Sequence, residues 1–175
     1  MPQTFTANAS LTVFDVVMMA HKQVKGWRVS SDDILFVSHA LHDAGIGSLS
    51  EAYISELSGG QAQMVSVAQS LVRQSDVYLF DEPTSALDLN HQLLVLSRIR
   101  SQVQKRGVIG IVALHDLNLA ARFADKLILL DQGQVVSQGT PVDILPRAKV
   151  ANTYGVDIET LTGPREEMTV HAYSI

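Results

Sequence analysis

The sequence predicts an α/β protein in which a parallel sheet carries helices on both faces and follows a small helical unit. From Val77 onward, short apolar runs of strand length alternate with longer helical stretches, which is the order of a parallel sheet. Before Val77, apolar residues recur at helical spacing. With 175 residues, 46% of them hydrophobic, the chain can bury one compact core.

The front section, residues 4–75, is predicted to be helical. Apolar residues recur at helical spacing from Leu11 to His21. The run Ser31-Asp32-Asp33 is predicted to cap a second helix, which Gly45 ends. A third helix is predicted from Ala62 to Gln74. These helices form the small helical subdomain of the prediction.

The back section, residues 76–175, is predicted to hold the α/β core, a hairpin and a tail. The predicted strands and helices are Val77–Phe80, Leu89–Lys105, Val108–Leu114, Asp116–Ala124 and Lys126–Leu130. Asp131–Gln134 is typical of a tight hairpin turn, and Thr140-Pro141 of a helix start. The tail from Ala151 alternates only weakly. Without repeats or a long linker, both sections are predicted to form one unit.

Composition excludes several functions. The formal net charge is −5 without a local block of Lys or Arg, which disfavours a nucleic-acid partner. The chain has no cysteine, so a disulfide framework and a thiolate metal site are both excluded. The longest apolar stretches are well below the roughly 20 residues that cross a bilayer. We therefore expect a cytoplasmic protein.

The most specific motif is Leu57-Ser58-Gly59-Gly60-Gln61, which directly precedes the third predicted helix. Ser58 can cap that helix, and the two glycines leave backbone N–H groups open at its positive end, where an anion binds well. An ordinary capped helix with a glycine turn is the alternative for this motif taken alone.

Two consecutive carboxylates, Asp81 and Glu82, end the buried strand that begins at Val77. Ligands of open α/β sheets bind at this carboxyl edge. Asp81 offers oxygen ligands to Mg²⁺, and Glu82 can act as the general base for an attacking water. A solvated pair at a strand end is the alternative.

Asp88 and His115 are two further candidates. Asp88 can cap the next helix, which is its structural alternative. His115 ends the apolar run from Ile111 and precedes Asp116. A single histidine at a strand end is more often structural than catalytic.

Taken in order, these motifs resemble the ATP-binding subunits of ABC transporters, whose fold belongs to the P-loop NTPases. The resemblance identifies the signature LSGGQ, a Walker B run VYLFDEP, a D-loop SALD and a switch histidine in LHD. The runs Leu114–Arg122 and Gln138–Pro141 are similar to the ATPases of siderophore, haem and cobalamin importers. The resemblance covers nearly the whole chain.

The resemblance implies a role for each matching residue. In the family, two subunits hold two ATP molecules between them, with Mg²⁺. By this resemblance Asp81 and the Q-loop glutamine Gln3 bind Mg²⁺. The resemblance also implies that Glu82 activates the attacking water and that His115 contacts the γ-phosphate. The signature residues Ser58, Gly59, Gly60 and Gln61 act in trans, and Asp88 links the two sites. The implied partners are permease subunits at the inner face of the cell membrane and a second ATPase subunit.

The sequence departs from the family in two respects. No glycine is followed by lysine, so the P-loop pattern Gly-x-x-x-x-Gly-Lys-Ser/Thr is absent. We therefore expect a subunit that lacks the N-terminal P-loop strand and helix, through a mis-started reading frame, proteolysis or deliberate shortening, or as a natural partial subunit. Met64 stands where arginine is usual, and Gln69-Ser70 replaces Arg-Ala, which puts signature competence in doubt.

Three functions remain open from the sequence. The first is an ATP-hydrolysing importer subunit that is inactive as this chain alone. The second is a catalytically dead interaction module that supplies the signature in trans or docks on a permease. The third is a soluble ATPase of DNA repair, disfavoured by the short interval from Q-loop to signature and by the acidic charge. His39 and His42 lack a third ligand and are predicted to be surface residues.

Overall fold

The computed structural model describes residues 11–25, 28–85, 87–146, 148–163 and 167–175. The helices are α1 Val13–Lys25, α2 Ser31–Asp43, α3 Gly59–Leu71, α4 Leu89–Arg106, α5 Leu117–Phe123, α6 Pro141–Ile144 and α7 Ala148–Tyr154. The strands are β1 Val77–Asp81, β2 Ile109–Ala113, β3 Leu127–Asp131, β4 Gln134–Gly139, β5 Asp157–Thr162 and β6 Met168–Tyr173. Within this described part, no helix is long and apolar enough to cross a membrane.

The chain divides into two compact units, Met1–Val112 and Ala113–Ile175. The predicted division near residue 75 falls inside the first unit. Helices α1 to α4 and strand β1 all belong to that unit, so the helical section and the strand that ends in Asp81 share one body.

Two helix starts differ from their predicted positions. The N-cap of α2 is Ser30, because its side chain accepts from the Asp33 N–H while the Asp33 carboxylate accepts from the Ser30 N–H. This reciprocal pair is a capping box. Helix α3 begins at Gly59, three residues before the predicted start, because Ser58 is its N-cap. Gly45, with φ +76°, lies just beyond α2, as predicted.

The core of the first unit lies between α1, α2, α3, α4 and one face of β1. Apolar side chains from all five elements form a single buried cluster, which includes Val13, Val17, Val37, Leu41, Val65, Ala68, Tyr78, Phe80, Val95 and Ile99. The alternation along β1 buries Tyr78 and Phe80 and exposes their neighbours. The strand is therefore fixed to the helical section by every second side chain.

A buried polar cluster joins α1 to α2. His21 is 1% exposed, and its Nε2 lies 2.9 Å from Oδ1 of Asp33. Lys22, 5% exposed, donates through Nζ to Oδ2 of Asp33 at 2.8 Å. The backbone N–H and hydroxyl of Ser30 donate to the same oxygen. The His21 ring stacks on Phe36. The hydrogen bonds from Lys22, and then those from Ser30 and His21, hold the pKa of Asp33 well below its usual range.

Strands β1 and β2 are hydrogen-bonded neighbours, and α4 connects them. A connection through a helix is the kind that parallel strands require. Gly107 ends α4 with φ +64°. The Arg106 guanidinium donates to the Leu71 carbonyl and to the hydroxyl of Tyr78, so the end of α4 is fixed to the end of α3 and to β1.

One face of the β1–β2 pair is exposed in the described part of the chain. On this face, opposite Tyr78, Leu79 is 74% exposed and Ile109 is 60% exposed. Strand β3 pairs antiparallel with β4, as the predicted hairpin turn between them implies. A two-residue turn costs little closure entropy, which favours this local pairing.

The second unit contains two antiparallel hairpins with short helices. The predicted turn after β3 is confirmed, with Gln132 and Gly133 both at positive φ, as the tightest hairpin turns require. Thr140 caps α6, as predicted. The weakly alternating tail forms α7 and the β5–β6 hairpin. The Asn118 side chain of α5 both donates to and accepts from the backbone of Val170 on β6, so α5 is tied to this hairpin.

Candidate functional site

The motif from Leu57 to Gln61 forms the capped start of α3. The Ser58 Oγ accepts from the Gln61 N–H at 3.3 Å, and Gln61 Oε1 accepts from the Ser58 N–H at 2.9 Å. As the first two helical residues, Gly59 and Gly60 have no intrahelical acceptor for their N–H groups. The Ser58 hydroxyl accepts in this cap, so its O–H proton is available to donate. The helix start thus offers donors at its positive end.

Asp81 and Glu82 occupy the carboxyl end of β1. Asp81 is the last residue of the strand and is exposed, and Glu82 is half-buried. Glu82 has φ +43°, a conformation that costs a residue with a side chain free energy and that concentrates at functional sites. Its carbonyl accepts from the backbone and hydroxyl of Ser85, which closes the turn. An exposed carboxylate at a strand end fits Mg²⁺, a cation that prefers oxygen ligands.

Asp88 is the N-cap of α4, as its structural interpretation predicted. Its Oδ1 accepts from the His91 N–H at 2.9 Å, and Nδ1 of the His91 ring lies 2.8 Å from Oδ2. These bonds, the backbone one first, lower the pKa of Asp88. The same His91 ring lies against Gly60. The structure thus brings the capped start of α3 together with the Asp88 loop.

Sequence reasoning missed His91. The signal that could have found it is its spacing: Asp88 and His91 are three residues apart across a helix start, where a capping carboxylate meets the third helical residue. Its contact with Gly60 joins positions far apart in sequence, and no pattern indicates it.

His115 lies in the second unit, between β2 and the N-cap of α5, and is exposed. The following residue, Asp116, is that N-cap and accepts from the N–H groups of Asn118 and Leu119. His115 follows the last residue of β2 by two positions, and its role at the γ-phosphate stays a prediction.

Three further predicted positions are Gln3, His39 and His42. Gln3 lies outside the described residues. His39 and His42 are exposed on α2. Within the described ranges, no group of three or more His, Cys, Asp or Glu side chains could hold a metal ion.

The atypical residues of α3 have structural roles. Met64 is 7% exposed and belongs to the core cluster, so an apolar side chain suits its site. Gln69 donates through Nε2 to the Val16 carbonyl of α1, and the Ser70 hydroxyl donates to the Ser66 carbonyl one turn earlier. These residues hold α3 in place at a distance from its capped start.

Comparisons with known proteins show the family of the chain. The family model described as ABC transporter matches residues 1–85. The hemin import ATP-binding protein of Thermobifida fusca is 36% identical over 165 residues, which are 94% of this chain and 58% of that protein. The corresponding protein of Bordetella avium is 36% identical over 177 residues, 97% of this chain and 67% of that protein.

The structural comparison gives the same class. A metal-chelate type ABC transporter, solved in an inward-facing conformation, superposes with a TM-score of 0.84 at 25% identity, over 99% of this chain and 70% of that one. This likeness gives the fold of the ABC ATPase domains. This chain belongs to the ATP-binding subunits of ABC transporters. It spans 58% of the length of the Thermobifida relative.

Proposed function

We propose that this chain is the ATP-binding subunit of an ABC importer for haem or an iron chelate. The observation that carries this proposal is the reciprocal cap of Ser58 and Gln61, which fixes a helix start with donors for an anion. The functions of the similar proteins, hemin import and metal-chelate transport, support the substrate class. Siderophores and cobalamin belong to the same group of chelates.

In the proposed reaction Glu82 accepts a proton from the water that attacks the γ-phosphate of ATP. Its half-buried position in the turn after β1 holds the carboxylate at the carboxyl edge of the sheet. Asp81 and Gln3 are the proposed residues for Mg²⁺, which when bound supplies positive charge to the phosphate oxygens. His115 is proposed to contact the γ-phosphate.

The signature residues are proposed to act on the ATP of a second subunit. Ser58 donates through its hydroxyl, and Gly59 and Gly60 through their N–H groups, to phosphate oxygens held by the partner. Asp88 connects the two sites across the dimer. We further propose that the subunit docks on permease subunits at the cytoplasmic face of the membrane.

The 175-residue chain by itself is proposed not to bind or hydrolyse ATP. Phosphoryl transfer depends on positioning and charge neutralisation, and the P-loop pattern that supplies both is absent from these residues. Calorimetric titration of the chain with MgATP at high protein concentration should give no binding heat. A saturable binding isotherm would contradict this proposal, because other residues would then supply the phosphate contacts.

Self-association of the chain is a separate expectation. Strands β1 and β2 share an apolar surface. Its side chains are each between 46% and 74% exposed, and they are Val77, Leu79, Ile109 and Ile111. An uncovered apolar sheet surface favours association with another copy. Light scattering should therefore report a dimer or larger species, and a monomer at micromolar concentration would refute the expectation.

The second candidate function is an interaction module that supplies the signature to an intact ATPase subunit. The complete cap at Ser58 favours it, because the part that acts in trans is built within this chain. Mixing the chain with an intact subunit of a related importer should then raise the ATPase rate, and Ser58→Ala should reduce that stimulation. No stimulation at saturating concentrations of the chain would exclude this function.

A further inference from the structure

Gly60 has a neighbour that Gly59 lacks. A Cβ built on Gly60 would lie 2.5 Å from Cδ2 and 2.9 Å from Cγ of the His91 ring. A Cβ on Gly59 would meet nothing within 4 Å. The two glycines share one helix start, yet only Gly60 is in close contact, so its missing side chain makes room for a residue of another helix.

The opposite side of the His91 ring binds the Asp88 loop. Nδ1 lies 2.9 Å from Oδ1 and 2.8 Å from Oδ2 of Asp88. A carboxylate with a lowered pKa accepts hydrogen bonds and does not donate them, so Nδ1 must carry the proton and be the donor. Both the position of the ring and its tautomer are therefore determined by Asp88.

A helix cap alone does not account for this arrangement. The N-cap function of Asp88 is already fulfilled by the bond from the His91 backbone N–H. The side-chain bond is additional, and it holds an exposed carboxylate, 67% accessible, in one orientation. An exposed ion pair contributes little to stability, so its main effect here is on geometry.

We infer that His91 is a positioning residue that couples Asp88 to the signature at Gly60 within one subunit. A displacement of α3 at Gly60 moves the His91 ring, and the ring moves the Asp88 carboxylate to which it is bound. The inference rests on the proposed function, in which Gly60 faces the ATP of the partner and Asp88 links the two sites. The inference identifies His91 as the side chain that holds Gly60 and Asp88 in a fixed relative position.

The coupling is testable on the full chain by ¹⁵N NMR of the His91 ring. The wild-type chain should show Nδ1 as the protonated nitrogen of the neutral ring. Gly60→Ala should shift both ring nitrogen signals and lower the unfolding midpoint, because the new methyl group displaces the ring. Gly59→Ala is the matched control, and it should leave the ring signals in place.

A double-mutant cycle separates this contact from a general effect on the helix. In the His91→Ala background, Gly60→Ala should no longer lower the unfolding midpoint, because alanine favours the helix once the ring is absent. Unchanged ring signals in Gly60→Ala, or the same midpoint change in both backgrounds, would overturn the inference whatever the chain does with ATP.

A functional test of the coupling uses two variants of His91. One keeps the hydrogen-bond donor to Asp88, and the other keeps the ring beside Gly60. His91→Asn keeps a donor near the position of Nδ1, and His91→Phe keeps the ring and removes the donor. In the mixing assay with an intact subunit, His91→Phe should lose most of the stimulation, and His91→Asn should restore much of it. Equal stimulation by His91→Phe and wild type would overturn the positioning role. A wild-type chain that gives no stimulation would instead reject the trans function, and the NMR result would still decide the coupling.

Discussion

Replacing Asp33 by asparagine is expected to lower the free energy of unfolding of the first unit strongly, and by more than the same change at Asp43. The carboxylate is the shared acceptor for His21 and Lys22, which are 1% and 5% exposed, and for Ser30. Asparagine keeps an acceptor oxygen but no charge, so a buried ammonium group loses its negatively charged partner, and such a loss is among the most damaging of substitutions. Urea unfolding at pH 7, followed by circular dichroism, measures the effect.

Asp43 provides the matched control. It also accepts from a lysine, Lys105, at 2.9 Å, but the lysine side chain is 65% accessible. Asp43→Asn should therefore stay within about 1 kcal/mol of wild type, as is usual for surface ion pairs. Similar losses for the Asp33 and Asp43 variants would mean that burial of the α1–α2 cluster does not determine its contribution.

The same residue predicts a pH dependence. The pKa of Asp33 is lower in the folded chain than its unfolded value of about 3.9. The stabilisation from its charge is therefore fully present above about pH 4 and is lost as the pH falls through the lowered folded pKa. The unfolding free energy of wild type should fall more steeply below pH 4 than that of Asp33→Asn. Parallel curves for the two proteins would contradict the assignment.

The second large effect concerns Glu82. In a fusion of this chain to the P-loop region of an active ABC ATPase, Glu82→Gln should lower the hydrolysis rate by about 10² to 10⁴, the usual contribution of a general base. Glutamine preserves the size of the side chain but cannot accept the proton. MgATP binding should remain, because Glu82 is proposed to act on water and not to hold the nucleotide.

Glu51→Gln is the control for this experiment. It makes the same chemical change at an exposed position of the first unit, and hydrolysis should be unchanged. Asp81→Asn should weaken MgATP binding itself, which separates the ligand role from the base role. A Glu82→Gln fusion that hydrolyses ATP at the rate of its parent would remove Glu82 from the mechanism.

The sequence alone determined the parts of this protein that depend on hydrogen bonds between near neighbours. The cap at Ser58, the cap at Asp88 and the turn at Gly133 each close within a few residues, so residue type and spacing suffice to predict them. The strand that ends in Asp81 was equally predictable, because its apolar run is followed by two carboxylates. The motifs that identify the family all lie in such local segments.

Only the tertiary structure decided which of these segments meet. His21 and Lys22 look like ordinary polar positions of a helix, yet the packing of α1 on α2 buries both around Asp33. The contact of His91 with Gly60 likewise depends on which surfaces are near each other in space. A local pattern carries no information about a neighbour tens of residues away, because the free energy of that contact arises only when the chain has packed.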